Sequence, residues 1–428
     1  MFKNKNVKSK LAILVVAAVI STGLVGCGKS TPVTVADLVQ ASETERNIKK
    51  KDQNGNINVN VKSKADNEEE QNFSVNILQK TAIDNMDSDS KINFTVEKKD
   101  TTNKEDADEA TKMLNEFIST LKDKEIVFKT RAGKSQVSSD SIKNILRGYL
   151  DASQSTGDNE ENLGRGMIGF MAEMLPANSY ISIPGSAIAN TNPANIMLNG
   201  AKDSINLLPD MDQNKKELSA EELEQLSKLY SEFTNKAFGA YTFVNMSKKG
   251  DTFTYKATGN GVKKELANLE KYVQENKDTI KSELIELSKK ANVIQNKKEL
   301  TDEEVEGISK AFDEKIAEMS KEDAKKKIED LKDSDISINI TLVSKKDGSK
   351  LDMDITFDMS EDKKAKNDNE SADKSAKTVN EGKLLIKGST ETRANNNVKL
   401  EDFKGEEIPF DQLFSGLLFD ANEKNPEW

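Results

Sequence analysis

Histidine is absent from the 428 residues, and this absence removes more chemistry than any other feature of the chain. Histidine is the usual general base near neutral pH and the commonest metal ligand. Without it, Ser-His-Asp and Cys-His catalysis are excluded, and so are the usual zinc sites. Carboxylate pairs alone can run glycoside hydrolysis, but among 74 aspartates and glutamates such pairs arise everywhere by chance. The expectation is therefore a protein that is not an enzyme, with no catalytic residue, no metal and no cofactor. Cysteine is nearly absent too: a single one cannot form an intramolecular disulfide, so the fold has to hold without a staple. The chain is long enough to bury a sizeable core. Aromatic residues make up only 5%, and the formal net charge is -11. Nucleic acid is excluded as a partner, since it needs a clustered basic face. An acidic body is also repelled by anionic phospholipid and is expected to stand off a membrane surface.

What is present begins at the N-terminus. Lys3, Lys5, Lys8 and Lys10 precede an apolar run over residues 11–20, followed by Ser21, Thr22 and Gly23. A spanning helix needs about 20 predominantly apolar residues, so the run reads as a removable secretory signal. The next residues are Leu24-Val25-Gly26-Cys27, which resemble the lipobox of bacterial lipoprotein precursors: a branched apolar residue, a tolerant position, a small residue and cysteine. The resemblance implies lipid on the Cys27 sulfur and cleavage before it. It gives a signal peptide over 1–26, a lipidated tether over 27–33 and a module over 34–428. The module is then held on the extracytoplasmic face of the cell membrane, with the membrane itself as a partner through Cys27.

Three segments carry one helix-starting signal: Val33-Thr34 with Asp37-Leu38, Leu218-Ser219 with Glu222-Leu223, and Leu300-Thr301 with Glu304-Val305. A hydroxyl caps the helix, an acid three places on reaches back, and flanking apolar residues form a staple. The second and third also share flanking Lys-Lys-Glu-Leu sequence, which suggests an internal duplication or convergence on one good cap.

Apolar residues then alternate with polar ones at Ile57, Val59 and Val61, at Phe73, Val75 and Ile77, and at Ile92, Phe94 and Val96. The pattern returns over 126–128, 241–244, 253–255, 336–342, 351–357 and 384–386. Alternation means one buried and one wet face, and turns at Lys249-Gly250-Asp251 and Asp347-Gly348 join strands as hairpins. Positions such as Val75 and Ile340 are expected in the core. Residues 261–332 instead keep a helical stripe through Leu266, Leu269, Val273, Ile280, Leu284, Leu287, Ala291 and Ile294, then Val305, Ile308, Phe312, Ile316 and Met319. These predict two helices joined near Asn296, pairing as a hairpin or packing on the sheet. The fold class is α+β: a large antiparallel sheet, half-barrel-like, with helices on one face and a helical hairpin inserted. An alternative divides the chain into two similar halves near 200–218.

Candidate ligand contacts lie in a methionine-rich segment: Met167, Ile168, Phe170, Met171 and Met174. Thioether side chains repack around irregular apolar ligands, so the segment reads as a lip over a hydrophobic cavity or as a helix completing the core. A second apolar cluster over 410–419 reads as a core plug. Asp210, Asp212, Asn214 and Glu221 fall at calcium-loop spacing, but Lys215 stands where the turn wants glycine and Leu218 stands at the ninth position, so no metal is assigned. Residues 361–377 read as a solvated loop.

The order of lipidated cysteine, helix and antiparallel strands resembles the lipoprotein carriers of the LolA and LppX type, whose half-barrel encloses an apolar ligand against helices. The resemblance is architectural and lends no binding residue. It implies a lipid or other hydrophobic small molecule as ligand; the alternative is a surface protein that docks another protein through its sheet or helical hairpin.

Overall fold

The computed structural model describes residues 31–64, 71–99, 120–131, 134–152, 166, 168–170, 172–183, 218–319, 331–358 and 381–409. Their strands join into one 13-stranded sheet. In chain order the strands are β1 (Thr31–Thr34), β2 (Lys50–Lys64), β3 (Gln71–Asp84), β4 (Asp87–Lys99), β5 (Glu125–Arg131), β6 (Lys134–Ser138), β7 (Tyr180–Ile183), β8 (Thr242–Lys249), β9 (Thr252–Thr258), β10 (Ile336–Lys345), β11 (Gly348–Asp358), β12 (Glu381–Ala394) and β13 (Glu407–Pro409). In space the order is β1-β8-β9-β10-β11-β12-β2-β3-β4-β5-β6-β7-β13. Every pairing is antiparallel except the short β7–β13 edge. The sheet is thus two meanders joined where β12 pairs with β2, and the α+β architecture with an open, half-barrel-like sheet is as the alternation implies.

The helices are α1 (Val35–Arg46), α2 (Ser139–Ala152), α3 (Ala220–Phe238), α4 (Gly259–Glu275), α5 (Lys277–Asn296) and α6 (Asp302–Met319), with further helical residues between 166 and 174. All three capping motifs form. The hydroxyls of Thr34, Ser219 and Thr301 accept the backbone N–H of Asp37, Glu222 and Glu304 at 3.3, 3.2 and 3.3 Å. The acids accept in return from the cap N–H at 3.0, 2.8 and 2.7 Å. Each pair satisfies donors that a helix start leaves open. The staples are present as well: Val33 and Leu38 enter one apolar cluster, and Leu218 packs with Leu223 in another.

Two expectations need correction. The helical stripe over 261–294 is not one helix, because the chain breaks at Asn276, which leaves helical geometry at φ -113 and ψ 16. Its side-chain amide donates to the Tyr272 carbonyl at 2.9 Å, the local competition by which asparagine interrupts helices. The insertion is therefore three helices, and α5 packs mainly on α3 rather than on α6. The tether expected over 27–33 is also shorter, since residues 31–33 already belong to β1 on the edge of β8 and Val33 is fully buried.

Register shows which side chains share a face. Phe253, Tyr255, Ile338, Ile340, Leu342, Ile355, Phe357, Ile386, Val59, Val75 and Val96 all project to one side. Over β8 to β11 this face is roofed by α1 and α4, forming the main core around Phe253, Tyr255, Ile336 and Ile340. The opposite face is polar, with Asn54, Asn56, Asn58, Asn60 and Lys62 alternating along β2.

Candidate functional site

The roof stops partway along the sheet. Among the described residues no helix packs along β12, β2, β3 or β4, although the apolar face continues there without a break. Leu384 and Ile386 of β12 still touch the main core; beyond them Ile57, Val59, Val61, Val75, Ile77, Ile92 and Phe94 are each half-buried and Val96 is buried, and none belongs to a described core cluster. Val75, expected in the core, lies on this open strip, whereas Ile340 is 2% exposed. At Gly388 the missing side chain lets Met353 and Ile57 close over the strand: a Cβ there would come within 3.2 Å of Met353 Cγ and 3.3 Å of Ile57 Cγ1.

Along the same face the lining changes from apolar to polar. Toward the starts of β2 and β4 and the end of β12, the inward positions are Lys51, Gln53, Gln79, Thr81, Ser90, Thr390 and Thr392. Most of them are joined in two hydrogen-bonded groups. Gln53 donates to Thr392 at 3.4 Å, Gln79 to Thr81 at 3.1 Å, and Ser90 to Thr81 at 2.9 Å. Glu45, at the end of α1, accepts from Ser349 and Thr392 at 2.8 and 3.4 Å, and Lys51 stands 3.7 Å from it. Burial pushes the Lys51 ammonium below its ordinary value, and the charge of Glu45 works against that shift.

At the rim of this polar end lies a shallow, open depression of about 500 Å³ lined by Thr44, Asn47, Ile48, Lys49, Lys50, Lys346, Ala394 and Asn396. No acidic side chain lines it. Lys50 pairs with Asp84 at 2.7 Å and Lys49 reaches Glu224 at 4.0 Å, whereas Lys346 has no ion pair among the described residues.

The methionine-rich segment lies elsewhere. Ile168 is half-buried, while Phe170 and Met174, one helical turn apart, are 57% and 54% exposed. The segment packs on α2, where Arg147 meets Glu173 at 2.8 Å, and buries Ala172 and Leu175 instead. Met167 and Met171 lie outside the described residues, as do Cys27, the calcium-spaced Asp210, Asp212 and Asn214, and residues 361–377 and 410–419. Glu221 sits in the first turn of α3. The apolar stripe of α5 is used internally: Ile280, Leu284, Leu287 and Ala291 are buried, which leaves little of it for a docking partner. Among the described residues no group of three or more Cys, Asp or Glu is placed to hold a metal ion, and no helix is long and apolar enough to cross a membrane.

Sequence reasoning passed over the open strip because alternation marks a face as apolar without saying what covers it. No family model, curated protein or solved structure matches this chain.

Proposed function

We propose that the protein is a non-enzymatic lipoprotein, anchored through Cys27 on the extracytoplasmic face of the cell membrane, that holds a lipid or other hydrophobic ligand against the open part of its sheet. The observation that carries this reading is the apolar strip across β12, β2, β3 and β4, continuous with the core and, among the described residues, roofed by no helix. Half-buried Val, Ile and Phe side chains in a row gain about 25 cal/mol for each Å² removed from water, so an apolar chain laid along them is favoured. The polar side chains at one end of the same face suit a headgroup, which makes the surface amphipathic along its length.

The test is mass spectrometry of small molecules extracted from the purified protein, together with binding of a fluorescent lipid. A bound lipid is expected, and the Val59→Thr, Val75→Thr double variant, which keeps side-chain shape and strand preference, should hold less of it. Recovery of no lipid together with no binding of the fluorescent one would sink the proposal in favour of protein docking.

A further inference from the structure

β1 fixes one end of the sheet relative to Cys27. Thr31 pairs with Lys248, beside the β8–β9 turn, while Thr34 pairs with Thr242 toward the other end. Only four positions separate Cys27 from Thr31, and four residues fully extended span at most about 14 Å. The sheet is much longer than this reach: β10 alone has ten residues, which at about 3.3 Å each is roughly 33 Å. The reach therefore sets a level along the strands, that of the β8–β9 and β10–β11 turns, the start of β2 and the finish of β12, while across the sheet β1 is the edge strand, six places from β2.

That same end holds the basic depression of Lys49, Lys50 and Lys346. Lys345, next to Lys346 in the chain, and Lys249, at the β8–β9 turn of the same end, are exposed, with no ion pair among the described residues. Its acids are largely engaged: Asp84 with Lys50, Glu45 with Lys51, Asp89 with Arg131 and Glu391 with Arg393. Asp251 and Asp347 are the exposed carboxylates of the turns. The chain as a whole is acidic at -11, whereas no acidic side chain lines this depression; Lys50 is paired with Asp84, Lys49 reaches Glu224, and Lys346 has no ion pair among the described residues. The side-chain amides of Asn47 and Asn396 add donors to the lysines, while the Thr44 hydroxyl donates to the Gln40 carbonyl at 3.0 Å.

We infer that this end of the sheet faces the bilayer and that the Lys49–Lys50–Lys346 depression receives the phosphate of an anionic lipid headgroup. The inference rests on the proposed anchoring at Cys27. It replaces a body that stands off the membrane uniformly with one that is oriented, its polar end down and its apolar strip running away from the surface. A lipid leaving the bilayer then meets the phosphate site first, the polar side chains next and the apolar strip last.

The test uses the full chain in isolated membranes. With Cys27 blocked by lipid, a cysteine at Asp251→Cys, at the anchored end, or at Ser334→Cys, at the far end, is the only free thiol. A bulky, membrane-impermeant maleimide should label position 251 several-fold more slowly than position 334, and the two should label equally after detergent extraction. In the Lys49→Glu, Lys346→Glu background the protection of position 251 should be lost, since each lysine near an anionic surface is worth about fivefold in local affinity. Lys49→Gln, Lys346→Gln serves if the glutamates lower stability. Equal labelling of 251 and 334 in membranes overturns the orientation. Protection that survives charge removal overturns the headgroup site. Failure of the anchoring reading gives a different signature, namely recovery of the protein away from membranes and labelling of Cys27 itself.

Discussion

The Tyr241 hydroxyl donates a 2.6 Å hydrogen bond to Glu265, a carboxylate only 4% exposed. Glu265 also accepts the backbone N–H of Val244 and Asn245 at 3.1 and 3.0 Å and the Asn245 side-chain amide at 2.9 Å. The acid of α4 therefore completes the irregular start of β8, whose ladder to β9 begins only at Met246. Glu265→Ala removes the acceptor and strands these donors. A buried donor left unpaired costs about 1–3 kcal/mol, so urea denaturation should show a loss at least of that size. A smaller loss for Glu265→Gln would follow from its remaining carbonyl.

Alkaline stability follows from the same cluster. Burial, and then the Glu265 carboxylate, push the Tyr241 phenol well above its ordinary value of 10.0, and burial does the same at Tyr255. Between the unfolded and folded values the unfolded chain holds fewer protons, so stability is intact below pH 10 and falls as pH rises beyond it. Thermal melts between pH 8 and pH 11 should show the decline, and Tyr241→Phe should flatten it.

At the acid side, Glu222 is held down to about 2 by the hydrogen bond from Lys297 and by the Ser219 N–H. A depressed carboxylate contributes stability above its unfolded value of 4.5 and loses it as pH falls toward the folded one. Glu222 and Lys297 lie at the surface, with side chains 17% and 47% exposed, so the effect is small and weakens with salt. The Lys297→Met variant should lose part of the pH dependence below pH 4.5, measured as urea midpoints at low ionic strength.

The open strip and the roofed core should respond differently to mutation. Ile340→Ala, inside the core, is expected to cost about 2–5 kcal/mol. Val59→Thr with Val75→Thr should cost less and act mainly on lipid binding. Phe170→Ser with Met174→Ser, at exposed positions, should change stability by about 0.5 kcal/mol or less. If that last pair also weakens lipid binding, the methionine-rich lip is a ligand contact; unchanged binding assigns the ligand to the strip alone.

Anchoring is tested at one residue. Cys27→Ala should leave the protein uncleaved or release it from membranes. A variant correctly cut before residue 27 that still fractionates with membranes would falsify the lipoprotein reading. Chelator should leave the melting temperature unchanged, and a fall of several degrees would revive the calcium loop at Asp210.

The local rules written in the chain were enough for the elements they govern. Thr34, Ser219 and Thr301 capped helices because hydroxyl and acid, three residues apart, close a hydrogen-bonded box with no help from distant parts of the fold. Nine of the alternating segments became strands because a period of two can bury only one face of a pleated sheet. The chain was less explicit where tertiary packing outweighed local signal. β1, β6, β7 and β13 are short edge or near-edge strands, whose few residues carry too little alternation to stand out. Asn276 ended a helix within a stripe that reads as continuous.

The site shows the division most clearly. Sequence alone made Ile57, Val59, Val75 and Ile77 inward-facing, and it made Phe253, Tyr255, Ile338 and Ile340 inward-facing in the same way. Tertiary structure decided that α1 and α4 roof the second group while no described helix roofs the first, and that β1 pairs along the edge of β8 with Thr31 at the level of the β8–β9 turn. The physical reason is that periodicity is a property of neighbours along the chain, whereas burial depends on which remote segment arrives to exclude water.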